Sequence, residues 1–94
     1  MLDTKERQIL RARAHALKPV VMIGAHGVTD GVVAELEVAL NAHELIKVRL
    51  PSVPHDQRDA MTQTLAETSH ADIIGRVGRM LILYRPRPES ARKR

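Results

Sequence analysis

Two glycines spaced three residues apart, Gly24 and Gly27, are the residues of this sequence whose spacing most clearly suggests chemistry. They enclose Ala25 and His26, and they follow an apolar run, VVMI, at residues 20–23. Because glycine has no Cβ, such a loop lets the backbone approach another molecule closely, and its exposed N–H groups can hold an anion. A helix that begins directly after the loop adds the positive end of its dipole. The pattern therefore indicates a phosphate-binding loop, or else a tight turn between a strand and a helix.

No catalytic motif accompanies these glycines. A Walker loop requires a lysine directly after its second glycine, and a dinucleotide fingerprint requires Gly-x-Gly-x-x-Gly; the sequence has neither. It contains no cysteine nucleophile, and its five histidines do not show the i, i+4 spacing of a helical metal site. We therefore predict a protein that is not an enzyme and that binds neither a cofactor nor a metal. An enzyme that holds a nucleotide in the loop is the alternative.

The aromatic composition narrows the classes of nucleic-acid binding. The chain has no Phe, no Trp and 1 Tyr, so it cannot build the base-stacking platform of an RNA-recognition motif or an OB-type surface. Strands are predicted between the helices, which excludes a helix-turn-helix. Recognition of the phosphate backbone is what remains, as in KH domains, whose Gly-x-x-Gly loop clamps RNA.

Basic residues are concentrated at both ends of the chain. Residues 1–18 carry a net charge of +3 and residues 73–94 of +6, whereas residues 19–72 carry −5. Such clustering is typical of a polyanion-binding face, although a basic tail in solvent gives the same count. The loop itself contains no lysine or arginine, so positive charge near a bound phosphate must come from elsewhere. The candidates are Lys18, Arg7, Arg11, Arg79, Arg85 and the basic residues at the C-terminal end of the chain.

Hydrophobic periodicity predicts the element order αβαβαββ. The predicted elements are a helix over 5–17 capped by Thr4, a strand over 20–23, a helix from Thr29 or Asp30 to His43, a strand over 45–50, a helix over 55–69, and strands over 72–77 and 80–85. The last two strands flank Gly78-Arg79, which suits a type II′ turn. We predict an α/β fold, a single domain with a four-stranded mixed sheet and packed helices, in which strand 80–85 is central.

The spacing of apolar residues also predicts the buried faces of the helices. For the first helix these are Leu2, Ile9, Ala12, Ala16 and Leu17, and the opposite, basic face carries Arg7, Arg11, His15 and Lys18. The buried stripe of the second helix is Val32, Val33, Leu36, Ala39 and Leu40, and that of the third is Ala60, Met61 and Leu65.

One domain accounts for a chain of 94 residues. We place it at residues 1–88, followed by a basic flexible tail at residues 89–94. The first residues are charged and lack the apolar segment of a signal peptide, and no apolar run approaches the roughly 20 residues of a membrane span. A chain without cysteine suits a reducing compartment, so the expected location is the cytoplasm.

Several separated stretches together resemble a known family. They are Leu17-Lys18-Pro19, Gly24-x-x-Gly27, the helix start at Thr29, HELIKV at residues 43–48 and LYRP at residues 83–86. The combination resembles the CRM domain (chloroplast RNA splicing and ribosome maturation), and its single-domain bacterial form, YhbY, in particular. The resemblance extends over residues 4–87. It implies a compact fold similar to the C-terminal domain of translation initiation factor three.

The same resemblance implies RNA binding and, for the stand-alone form, association with precursors of the large ribosomal subunit. We therefore expect Gly24, Ala25, His26 and Gly27 to contact the backbone of ribosomal RNA, helped by the basic candidates named above. One departure from KH domains is that a strand, rather than a helix, precedes the loop. No membrane contact is expected.

A protein-interaction module is a further alternative function. It would dock a ribosomal protein or an assembly factor through the sheet or through the acidic second helix, and the acidic residues that favour it are Glu35, Glu37 and Glu44.

Overall fold

The computed structural model of the protein describes residues 3–86. Its elements are α1 (Thr4–Ala14), β1 (Val21–Met22), α2 (Asp30–His43), β2 (Leu45–Arg49), α3 (His55–Ser69), β3 (Asp72–Val77) and β4 (Met80–Tyr84). The predicted order αβαβαββ is confirmed. Residues 89–94, predicted to form a basic tail, lie outside the described residues.

The four strands form one mixed sheet in the order β1-β2-β4-β3. β1 is parallel to β2, and β4 is antiparallel to both of its neighbours. β4 is therefore central, as predicted, and β1 and β3 are the edges. The hairpin between β3 and β4 has a positive φ at Gly78 but not at Arg79, which is the pattern of a type II′ turn.

The sheet is covered by helices on both faces, because β4 is apolar on both sides. Leu81 and Leu83 enter the larger core with α2 and α3, whereas Ile82 enters a smaller core with α1. The larger core contains Val21, Ile23, Leu36, Leu40, Ile46, Val48, Leu50, Leu65, Ala71, Leu81 and Leu83. The smaller core contains Leu10, Ala14, Leu45, Ile74 and Ile82.

Helix α1 begins one residue earlier and ends three residues earlier than predicted. Its N-cap is Asp3 rather than Thr4: the Asp3 carboxylate accepts from the N–H of Glu6 at 2.8 Å, and the Glu6 carboxylate accepts from the N–H of Asp3 at 3.1 Å. This reciprocal capping box satisfies two N–H groups at once, which a threonine cap at position 4 would not.

The buried face of α1 also differs from the prediction. Leu10 and Ala14 are buried, whereas Ile9, Ala12, Ala16 and Leu17 are exposed, and Leu2 lies outside the described residues. The supposedly solvent-facing arginines explain the difference. Arg7 donates to the carbonyl of Ile73 at 2.7 Å and Arg11 to that of Ile74 at 3.1 Å, beside a register shift in β3. Both arginines therefore lie against the edge strand.

The buried stripe of α2 follows the prediction, with Leu36 and Leu40 at its centre. In α3, Leu65 is buried but Ala60 is exposed, which corrects the prediction. Two polar residues of α3, Thr62 and Ser69, are buried instead; their hydroxyls donate to the carbonyls of residues 58 and 65 at 2.8 and 2.6 Å. These internal hydrogen bonds make polar burial tolerable.

One ion pair joins the edge strand β3 to α3. The Arg76 guanidinium donates to Asp59 at 2.6 Å, and His55 lies 3.3 Å from the other carboxylate oxygen. The hydrogen bond from Arg76 lowers the pKa of Asp59 below its ordinary value; the charges of His55 and Arg76 add to this, against a desolvation that raises it. The ionised carboxylate therefore stabilises the fold at neutral pH.

We expect Asp59→Asn to flatten the acid end of the stability profile. The contribution of Asp59 is present above its unfolded pKa of about 3.9 and is lost as the pH falls through the lowered folded value. Urea denaturation from about pH 5 to about pH 2 should show a smaller loss of unfolding free energy in Asp59→Asn than in the wild type. Parallel profiles would show that the pair contributes nothing.

Candidate nucleic-acid interface

The loop between β1 and α2 is a tight turn across Gly24–Gly27. The N–H of Gly27 donates to the carbonyl of Gly24 at 3.0 Å, which closes the turn. Ala25 and His26 at its tip are exposed, and their N–H groups donate to no atom of residues 3–86. The turn therefore presents two unpaired backbone donors to solvent.

Only one of the two glycines of the loop is required by its backbone conformation. Gly27 has a φ of +76°, a conformation that residues with a Cβ rarely adopt. Gly24 has no positive φ, and no atom lies within 4 Å of the position that a Cβ would occupy. Neither backbone conformation nor internal packing requires glycine at position 24. The missing side chain leaves free space above the backbone of the loop.

Four segments meet at the end of the sheet where this loop lies, which we call the loop end: the loop, the Gly78–Arg79 hairpin, and the first turns of α2 and α3. The N–H of Ile23 donates to Arg49 at 2.9 Å, and the N–H of Leu50 donates to Arg79 at 2.7 Å. Gly24 follows β1, Arg79 precedes β4, and β2 lies between these two strands, so the backbones of Gly24 and Arg79 lie about 10 Å apart. Helices α2 and α3 both begin at this end of the sheet, so the positive ends of their dipoles are directed toward the loop end.

Local capping fixes the start of α2 against the loop. The hydroxyl of Thr29 accepts from the N–H of Val32 at 3.2 Å, and its carbonyl accepts from the N–H of Val33 at 3.0 Å. Thr29, one of the two predicted caps, is thus the N-cap. On the other side, a Cβ at Gly27 would lie 3.7 Å from the end of Met61, so α3 supports the turn from below.

The structure brings only some of the predicted basic residues to this site. Arg79 is exposed at the loop end, and its Nε donates to the carbonyl of Leu50 at 3.1 Å. That bond leaves the two terminal nitrogens without a partner among residues 3–86. Arg7 and Arg11 instead lie on the edge strand, with their bonds to backbone carbonyls described above.

Lys18 and Arg85 lie at the opposite end of the sheet. Lys18 precedes β1, whereas the loop follows it. Arg85 is 19% exposed and bonds to the Glu37 carboxylate at 3.0 and 3.1 Å, the Ser69 carbonyl at 2.8 Å and the Asn41 side chain at 3.0 Å. It joins β4 to the ends of α2 and α3, and it is not placed with the loop.

Sequence reasoning missed one arginine at the loop end. Arg58 lies one turn before Met61 on the same face of α3. Its Nε is buried and makes no hydrogen bond within the described residues. Buried polar atoms in folded proteins are normally hydrogen-bonded, so this atom is an exception. The segment 51–70 was expected to be structural only, and no motif in the sequence marked this arginine.

Within residues 3–86, no group of three or more histidine or acidic side chains is arranged to hold a metal ion. Over the same described part of the chain, no helix is long and apolar enough to cross a membrane.

Comparison with known proteins identifies the family. The family model of the CRS1 / YhbY (CRM) domain matches residues 2–85, so the chain belongs to the CRM family. It is 42% identical to the Haemophilus influenzae protein named "RNA-binding protein" over 95% of this chain and 90% of the relative. It is 40% identical to the Pseudomonas aeruginosa "Probable RNA-binding protein PA4753" over 94% of this chain and 85% of that one.

A solved structure agrees with the fold. The solution structure of SAV1595 from Staphylococcus aureus superposes with a TM-score of 0.82 at 29% identity, over 95% of this chain and 93% of that chain. The predicted family and the predicted α/β fold with a four-stranded mixed sheet are therefore both confirmed.

We expect the two glycines of the loop to respond differently to alanine. Gly27→Ala should lower the unfolding free energy by about 1 kcal/mol, because a Cβ disfavours a positive φ. Gly24→Ala should leave it unchanged or raise it by up to about 1 kcal/mol, because alanine restricts the unfolded chain. Urea denaturation of both variants tests this difference. Equal destabilisation would mean that Gly24 is needed for folding.

Proposed function

We propose that the protein binds RNA at the loop end, by contacts to the phosphate backbone. The observation that carries the proposal is the pair of unpaired N–H groups at Ala25 and His26 beside Gly24, a glycine that no internal contact requires. Membership of the CRM family and the names of the relatives support the same choice of ligand.

The chemistry of the site follows from its donors. A phosphate oxygen above Gly24 accepts from the two backbone N–H groups, and the start of α2 adds a favourable potential. Arg79 supplies a full positive charge, with a guanidinium oriented by its bond to Leu50. Arg58 adds a second positive charge from α3. None of these groups forms or breaks a covalent bond, so the proposed function is non-enzymatic.

Recognition by shape, rather than by base sequence, fits the same residues. The single aromatic residue, Tyr84, is half-buried and packs against the smaller core, so it is not available as a stacking platform for bases. Phosphate contacts fix register and orientation but carry no direct sequence information. We therefore propose a structured RNA as the ligand, and ribosomal RNA in precursors of the large subunit as its source, with the cytoplasm as the location.

Gly24→Asp should weaken binding to a folded fragment of large-subunit ribosomal RNA by at least about tenfold, since its carboxylate would fill the free space and repel phosphate. Fluorescence anisotropy measures the dissociation constant, and thermal unfolding verifies that the variant is folded. Val38→Asp is the matched control. Val38 is 70% exposed on α2, and the substitution adds the same negative charge away from the loop. Equal losses in both variants would remove the loop from the site.

Binding should also fall steeply with salt. About four phosphate contacts predict a slope of log affinity against log salt between about −3 and −4. Arg79→Gln should reduce the size of that slope by about one, whereas Lys18→Gln, at the opposite end of the sheet, should leave it unchanged. A slope insensitive to Arg79 would exclude this arginine from the contact.

The choice of ribosomal RNA has its own test. We expect the protein to sediment with large-subunit precursors on a density gradient of cell lysate, and to move to the top of the gradient as salt is raised. A position at the top in all conditions would withdraw the ribosome as the source of the RNA, while the binding measurements above would still report on the site.

One contact argues against the alternative function, in which the acidic second helix docks a protein. Glu37 forms an ion pair with Arg85 at 3.0 Å, so one of the acidic residues on which this alternative rests already has an internal partner.

A further inference from the structure

One part of the sheet is covered by no helix, and we call it the open face: Met22, Lys47, Arg49, Val77 and Met80. These residues share one side of the sheet because Val21, Val48 and Leu81, their neighbours along the strands, enter the larger core on the other side. Register places Met22 beside Arg49, Arg49 beside Met80, and Met80 beside Val77, in one row across all four strands.

Helix α1 covers only the remainder of this side. Its buried residues Leu10 and Ala14 pack with Leu45, Ile74 and Ile82. These three residues lie on the same strands as the open row, but further from the loop end. Between α1 and the open face lies a cavity of about 330 Å³, lined by Arg11, His15, Lys47, Val77, Met80 and Ile82. The cavity thus lies where the covered part of the sheet, under α1, meets the open face.

The open face exposes apolar side chains at both edges of the sheet. Met22 is 61% exposed and Val77 72%. Scattered single residues of this kind are normal on a surface, but these two lie in one row with the partly exposed Met80. Methionine is also common at surfaces that bind protein segments, because its flexible thioether adapts to a partner.

The charges of the open face have a single sign. Lys47 and Arg49 occupy its centre, Arg11 and His15 line the adjoining cavity, and neither the open face nor that cavity contains an acidic residue. A partner must therefore be acidic. An RNA backbone would pair with Lys47 and Arg49 but would leave Val77 and the two methionines in water, and the open face has no aromatic residue to stack its bases.

We propose that the open face binds a protein partner through an acidic, amphipathic segment of that partner. Its apolar side chains would cover Met22, Val77 and Met80, and its carboxylates would pair with Lys47 and Arg49. Arg49 ends β2 directly before Leu50, so the segment would lie next to the loop end. This inference is independent of the RNA proposal, and it assigns the protein a second surface for a protein partner.

Site-specific photo-crosslinking tests the proposal in cells. Benzoylphenylalanine replaces Val77 in one variant and Val38 in the matched control, since Val38 is similarly exposed, at 70%, but lies on α2. We expect the Val77 variant alone to give a discrete adduct that survives ribonuclease, with the crosslink mapping to an acidic, amphipathic segment. A ribonuclease-sensitive adduct, a crosslink to a second copy of this chain, a basic or wholly polar segment, or no adduct would each overturn the proposal.

Direct binding of a synthetic peptide with the mapped sequence completes the test. The peptide should shift the amide resonances of the open face, and Arg49→Glu should weaken its binding at least tenfold. Arg13→Glu, an equal change of charge on exposed α1, should have little effect. Loss of peptide binding with RNA affinity retained in Met22→Asp would separate the two surfaces. Resonance shifts confined to the loop end would contradict the assignment.

Discussion

Burial of β4 on both of its faces is the constraint on which the rest of the structure depends. Leu81 and Leu83 pack under α2 and α3 while Ile82 packs under α1, so one strand belongs to both cores. Two backbone hydrogen bonds connect this strand to the loop. The N–H of Leu50, after β2, donates to the carbonyl of Arg79 in the β4 hairpin, and the N–H of Ile23, after β1, donates to the carbonyl of Arg49 in β2. The loop is thus held by a ladder that begins in the most buried strand, which suits a site that must present backbone donors in a fixed direction.

The large elements could be predicted from the sequence because their signals are local and repeated. The alternation of LIKVRL, the cap at Thr29 and the apolar run in β4 each fix an element within a few residues, and each prediction agrees with the structure. The same alternation also separates Lys47 and Arg49 from the core residues of β2, so the charged part of the open face could be predicted from the sequence, whereas its apolar part could not. Its exposure was not, because that depends on how much of the sheet α1 covers.

The arginines could not be assigned from sequence, since guanidinium groups serve structure and binding equally well. Arg7, Arg11, Arg76 and Arg85 all bond to internal acceptors from distant parts of the chain, which only the folded structure brings near. The face of α1 was mispredicted for the same reason: a helix with few apolar residues can also contact a sheet through hydrogen bonds from its long polar side chains, as Arg7 and Arg11 do here. The net charge of +4 therefore does not describe the binding surface.

Two of the three arginines of α1, Arg7 and Arg11, also affect how exposed the edge strand β3 is. An edge strand offers unpaired carbonyl groups that a strand from another molecule can use to extend the sheet, which is the first step of many aggregates. Arg7 and Arg11 occupy the carbonyls of Ile73 and Ile74 in β3 with charged groups. Any incoming strand would have to displace two guanidinium groups and then bury charge beside its own backbone. Arg7 and Arg11 thus protect this part of the sheet edge against pairing with another strand.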